Sequence, residues 1–215
     1  MDEDRGFQLE ERKDRQTVGI RLLSEGFIQA YIDFFYLTHG TTPSQIEPSE
    51  KLVEEQQHKK QIKVTLEQTP DELILISELL KKGENCWRGG ATVDAFKTYV
   101  EMAVKYEGFN DYETASYFHK RCLDISIEYK YLEGEALAYR GLGICEEKVY
   151  NKIQAKDHLE TALEKADNAD LVTDDVVKNI SKDLVRVYQL IANEYLEMNE
   201  FDLSLSFYEK CLVVA

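Results

Sequence analysis

Four histidines and four cysteines are the groups here with the widest reach in chemistry, and their spacing limits what they can do. His39, His58, His119 and His158 are dispersed, and so are Cys86, Cys122, Cys145 and Cys211. A zinc site shows in sequence when two ligands lie one helical turn or one tight loop apart, so that both reach one ion. No CxxC occurs, and no histidine stands four residues from another histidine or from a cysteine. The cysteines therefore read as reduced thiols, and His119 as a packed or exposed ring beside a core cysteine, not as a metal ligand. Gly141-x-Gly143 has two glycines of a nucleotide loop, but no third follows and no strand precedes it, so packing is the better account of Gly143. Asp167 to Asp175 (DNADLVTDD) is rich in carboxylates. A calcium loop needs them at alternate positions around a central glycine, and Leu171 and Val172 stand in those places. This segment is expected to be a solvated loop, with Asp174 or Asp175 capping the helix that follows. Nucleophile, base and oxyanion donors do not come together in any recognisable pattern. The expectation is no enzyme, no cofactor and no bound metal.

The elements that position these groups follow from composition and period. The 215 residues are 43% hydrophobic and 31% charged, with only 3 Pro and 11 Gly. That balance suits long helices around a real core. A formal charge of -15 argues against nucleic acid and against an anionic membrane surface, since both demand a basic patch. It permits a basic protein partner. The start, MDEDRGFQLEERKDRQ, has no apolar signal core and is expected to fray. The strongest apolar runs, Leu73 to Leu80 and Phe34 to Leu37, are far too short to span a membrane.

Ile20, Leu23, Phe27, Tyr31 and Phe34 follow three-and-four spacing, which predicts one helix from about Gln16 to Leu37 with those side chains on its buried face. Gly40 to Pro48 is a break, and a polar helix is expected over about Ser49 to Leu66. Pro70 opens a further helix through about Lys82, with Thr69 as its cap and Gly83, Gly89 and Gly90 as punctuation after it. Trp87 with Arg88 is a candidate interface anchor, or else a Trp packing against the first repeat.

From about Ala91 a pattern recurs three times. It runs Tyr99-x-x-Met102-Ala103-x-x-Tyr106 then Asp111-Tyr112-x-x-Ala115 and Cys122-Leu123. It returns as Tyr139-x-x-Leu142-Gly143 then Ala155-x-x-x-Leu159-x-x-Ala162-Leu163, and as Tyr188-x-x-Ile191-Ala192-x-x-Tyr195 then Phe201-x-x-Ser204-x-x-x-Tyr208-x-x-Cys211-Leu212. Small residues let two antiparallel helices approach, and large ones fill the holes beside them. Such hairpins must stack to cover their apolar faces. The fold class expected is all-α: an α-solenoid of helical hairpins over 91–215, preceded by an N-terminal helical region over 1–90.

These blocks resemble the tetratricopeptide-repeat family, W-x-x-L-G-x-x-Y followed by A-x-x-x-F-x-x-A. Tyrosine stands in the tryptophan slot, Glu146 in the second tyrosine slot, and Cys122 and Cys211 replace the last alanine. Repeat starts near Phe96, Ala136 and Val185 give spacings of about 40 and about 49, against the usual ~34. The extra length falls at Ile125 to Glu133 and at Asp167 to Asp175, as extended helix ends or loops. A narrower resemblance spans most of the chain. LLSEGFIQAYIDFF, ETASYFHKRCLDIS, EGEALAYRGLGICEE and LVRVYQLIANEYLEMNEFDLSLSFYEKCL occur in an order similar to an axoneme-associated branch of that family from motile cilia and flagella.

The resemblance implies a non-catalytic protein-interaction scaffold of the axoneme, linked to dynein function or ciliary motility, with axonemal or dynein-associated proteins as partners. The alternative is a soluble peptide-binding adaptor of the kinesin-light-chain kind. Motif position puts a groove along the first helix of each hairpin: Lys97, Val100 and Val104, then Leu137, Arg140, Ile144 and Glu147, then Arg186, Gln189 and Asn193. These are either partner contacts or ordinary solvated positions. A chaperone-tail clamp needs Lys and Asn where Val100 and Val104 stand, which disfavours it. The last residues, Cys211-Leu212-Val213-Val214-Ala215, fall inside a second helix without a polar outer face. The expectation there is more repeats or a docked partner.

Overall fold

The computed structural model describes residues 14–39, 69–168 and 172–214. Those residues form nine α-helices: α1 (Arg15–Ser24), α2 (Ile28–His39), α3 (Pro70–Arg88), α4 (Thr92–Gly108), α5 (Tyr112–Glu128), α6 (Leu132–Lys148), α7 (Lys152–Asp167), α8 (Asp174–Glu197) and α9 (Phe201–Val214). The fold is all-α, a run of packed helical hairpins. It divides into two compact units, Met1–Asn85 and Cys86–Ala215, with the boundary inside α3. The break expected at Gly40 to Pro48 and the helix expected over Ser49 to Leu66 lie outside the described residues.

In the first unit the single helix expected from Gln16 to Leu37 is two helices. Gly26 takes φ 82°, a left-handed conformation that favours glycine, and ends α1. The turn rotates the buried stripe. Val18 and Leu22 go into the core, while Ile20 and Leu23 are 59% and 45% exposed. Glu84 of α3 is fully buried and accepts the Ala30 N–H at 2.8 Å, which places a carboxylate on the open first turn of α2. Thr69 caps α3 as expected. Its Oγ1 accepts the Glu72 N–H at 3.3 Å and Glu72 reaches back to the Thr69 N–H at 2.8 Å, a reciprocal capping box. That helix runs six residues beyond the expected end at Lys82, and Gly83 is buried within it instead of punctuating it.

The second unit is built on a regular step. α4, α5, α6 and α7 begin at 92, 112, 132 and 152. Each step is one helix plus one turn, and the turns are alike. Asn110, Lys130, Tyr150 and Asn199 all take φ between 55° and 65°. Around each, paired backbone bonds close the preceding helix, as in Asp111 N–H to Tyr106 O with Asn110 N–H to Glu107 O. Hairpins α4/α5, α6/α7 and α8/α9 correspond to the three sequence units. Part of the extra length before the third is helical: α8 starts at Asp174, eleven residues ahead of Val185. Its N-cap is Thr173, so Asp174 and Asp175 do not cap it but occupy its first turn, where their charge still favours the helix dipole.

The core repeats with the hairpins. Ala103, Ala115, Ala155 and Ala192 are fully buried at the crossings, and Tyr99, Phe118, Leu159 and Ile191 fill the spaces beside them. Cys122 and Cys211 occupy alanine-like slots. The Cys211 slot lies in a cluster with Ala155, Leu184, Val187 and Tyr188.

Candidate interaction face and a buried His-Glu-Cys cluster

The first helices of the hairpins, α4, α6 and α8, carry the expected groove positions at three-and-four spacing, so each set shares one helix face. Lys97 and Val104 are exposed on α4, with Val100 half-buried between them. Leu137, Arg140, Ile144 and Glu147 are half-buried on α6, while Arg186, Gln189 and Asn193 are exposed on α8.

The structure draws three of these residues into one ionic network. Arg140 Nε donates to Asp183 Oδ2 at 2.7 Å. Arg186 forks onto Glu147, with Nε to Oε1 at 2.8 Å and Nη2 to Oε2 at 2.6 Å, and its Nη1 reaches Asp183 Oδ1 at 2.9 Å. A planar guanidinium matches a carboxylate in this two-bond geometry, which sets α6 against α8. The bonds to Glu147 raise the Arg186 pKa further, against a smaller opposing effect of desolvation. Asp183, the hub, is buried. Sequence reasoning missed it because Arg140 lies on another helix, and the pairing with Arg186 one turn along α8 does not by itself mark a hub. Arg140, Glu147 and Arg186 thus hold neighbouring hairpins together, and their charges are already matched. Asn193 is also engaged: its Oδ1 accepts the Tyr208 hydroxyl across the α8/α9 hairpin. That leaves Lys97, Val100, Val104, Leu137, Ile144 and Gln189 as the part of the face not engaged in these contacts.

A cleft of about 800 Å³ lies elsewhere, among Ala166 and Asp167 of α7, Lys178, Lys182 and Val185 of α8 and Val214 of α9. None of the expected groove residues lines it. Trp87 is tied down within the second unit: its Nε1 donates to Glu128 at 3.0 Å, its carbonyl accepts the Tyr129 hydroxyl at 3.1 Å, and the Arg121 guanidinium lies over its ring. Arg88 is exposed beside it.

A larger apolar surface lies on α9. Leu212 and Val213 are 82% and 86% exposed, and Phe201, Leu203 and Leu205 are exposed along the same helix. In the preceding hairpins the places of Leu212 belong to Leu123 and Leu163, both half-buried. Leu163 packs against two core clusters, both of them shared with α8 of the next hairpin. On α9 that cover is absent among the described residues.

His119 of α5 is buried, and its Nε2 donates to Glu107 Oε1 of α4 at 2.7 Å. The Cys145 thiol of α6 completes a group in which one ligand-type atom from each residue lies within 4.8 Å of the others. Burial, with Glu107 and Glu146 nearby, pushes the Cys145 thiol up to about 12. The ring is accommodated by Gly141: a Cβ there would fall 2.3 Å from His119 Cε1 and Nδ1. Gly141 is therefore as much a packing glycine as Gly143.

No protein-family model matches the chain, and no curated protein matches it. Among the described residues no helix is long and apolar enough to cross a membrane.

Proposed function

We propose that this chain is a non-catalytic tetratricopeptide-repeat scaffold, a component of the axoneme of motile cilia whose partners are axonemal or dynein-associated proteins. The observation that carries the scaffold reading is the bare apolar face of α9. Stacked hairpins bury such faces against the next helix, so an apolar face of this kind is where a further helix seats. The occupant that fits is a helical segment, a further hairpin of the same protein or a segment of a partner, laying apolar side chains against Leu205, Leu212 and Val213. The ciliary part rests on the order of sequence blocks described above. Localisation of the tagged protein in a ciliated cell, before and after detergent and salt extraction, tests it. Retention along the axoneme is expected, and a soluble cytoplasmic pool without ciliary signal would overturn it.

The second reading is a transient peptide adaptor of the kinesin-light-chain type. What favours it is the mixed face of Lys97, Val104, Leu137, Ile144 and Gln189, which suits a short segment with both apolar and acidic groups. Such an adaptor would wash out with detergent.

A further inference from the structure

Glu107, His119 and Cys145 come from three successive helices, near the end of α4, the middle of α5 and the last turn of α6. No pair of them has a spacing that marks a ligand set. The fold alone brings a carboxylate oxygen, an imidazole nitrogen and a thiol sulfur within 4.8 Å of one another. We propose that these three side chains form a zinc(II)-class metal site, with a water as the fourth ligand.

The donor chemistry selects the metal. Nitrogen, sulfur and oxygen together suit a borderline-soft divalent ion without strong geometric demands, and tetrahedral zinc accepts all three. A hard cation such as magnesium or calcium would reject the sulfur. The imidazole is 95% buried, yet Nδ1 has no hydrogen-bond partner among the described residues. Nε2, the nitrogen that faces Glu107, is the one placed to share an ion with it. Room exists because Gly141 has no side chain, and Cys145 lies one turn further along the same face of α6. The Glu107 side chain is 26% exposed, which opens one side of the cluster to solvent for a water ligand. Glu146 and Glu107 make the surroundings anionic, which favours a cation. On binding, Cys145 ligates as the thiolate and its proton passes to solvent, while His119 ligates through Nε2 as the neutral imidazole, its ring proton moving to Nδ1 and the hydrogen bond to Glu107 giving way to two bonds to the ion. The ion would then fasten α4 and α5 of the first hairpin to α6 of the second.

The test uses the full chain, stripped of metal by a chelator and titrated with Zn²⁺, then with Co²⁺ as a spectroscopic stand-in. The expected result is one tight site per chain, a higher melting temperature with Zn²⁺, and a Co²⁺ spectrum with tetrahedral d–d bands and a thiolate charge-transfer band. Cys145→Ser should remove that band and weaken Zn²⁺ about tenfold or more. His119→Gln risks unfolding the hairpin, so Glu107→Gln at the solvent edge is the second variant, expected to weaken Zn²⁺ while helicity is kept. Cys86→Ser should change nothing. A Co²⁺ spectrum without the charge-transfer band, or binding equal in wild type and Cys145→Ser, would overturn the site. Neither result depends on whether the chain is found on axonemes.

Discussion

Gly143 shows how a single missing side chain sets the hairpin. A Cβ there would fall 2.6 Å from Leu159 Cγ and 3.2 Å from the Ala155 carbonyl oxygen. Gly143→Leu is expected to destabilise the second unit by about 1–3 kcal/mol or more, read as a lower urea midpoint. An unchanged midpoint would contradict the α6/α7 crossing described here. This role was legible from sequence, because Gly143 fills the small slot that Ala103 and Ala192 fill in the other units. Gly141 was not legible: what forbids a side chain there is His119, on a different helix. The ionic network was hidden for the same reason. Sequence periodicity placed Arg140 and Arg186 on a binding face, whereas each is committed to Asp183. A double-mutant cycle with Arg140→Ala and Asp183→Ala is expected to give a coupling of about 0.5–1 kcal/mol, the range for a partly exposed pair. Zero coupling would return Arg140 to the set of residues free for a partner.

Element ends are where sequence and structure part most. Three-and-four spacing ran through Gly26 without interruption, and the periodic signal could not register that Gly26 takes a left-handed φ. The twenty-residue step of α4 to α7 was partly visible as a repeat of about 40, but its cause lies in the shared turn. That turn needs a left-handed residue, and asparagine supplies it at Asn110 and Asn199 at little cost. Tyr150 supplies it at φ 65° while 87% exposed. Tyr150→Gly is therefore expected to stabilise the second unit by about 0.5–1 kcal/mol, since relief of roughly 1–2 kcal/mol exceeds much of glycine's entropy cost. A lower melting temperature would mean that Tyr150 packs against something in solution. In the first unit, Glu84 covers the open end of α2. Glu84→Ala leaves the Ala30 N–H buried without that acceptor and is expected to cost about 1–3 kcal/mol. Hydrogen exchange at Ala30 should speed up accordingly, and unchanged protection would contradict the cap.

At the scale of the molecule, the fold class was open to reading from the start: few prolines, recurring small and aromatic slots, and no alternating strand pattern. Function is less legible, because a solenoid presents its activity as surface, and surface positions carry weak sequence constraints. The apolar residues of α9 became informative only when Leu212 was set beside Leu123 and Leu163, which are half-buried, Leu163 against α8 of the next hairpin. A scaffold that binds through this face should lose its partner when the face is made polar, while its own hairpins stay folded. The most direct measurement compares wild type with the Leu212→Glu/Val213→Glu variant in a ciliated cell, as the fraction kept on axonemes after detergent and salt extraction. Both positions are exposed, so the purified proteins should melt within about 0.5 kcal/mol of each other. Wild type is expected to stay with the axoneme and the variant to wash out. Equal retention of the two, or release of both, would contradict it.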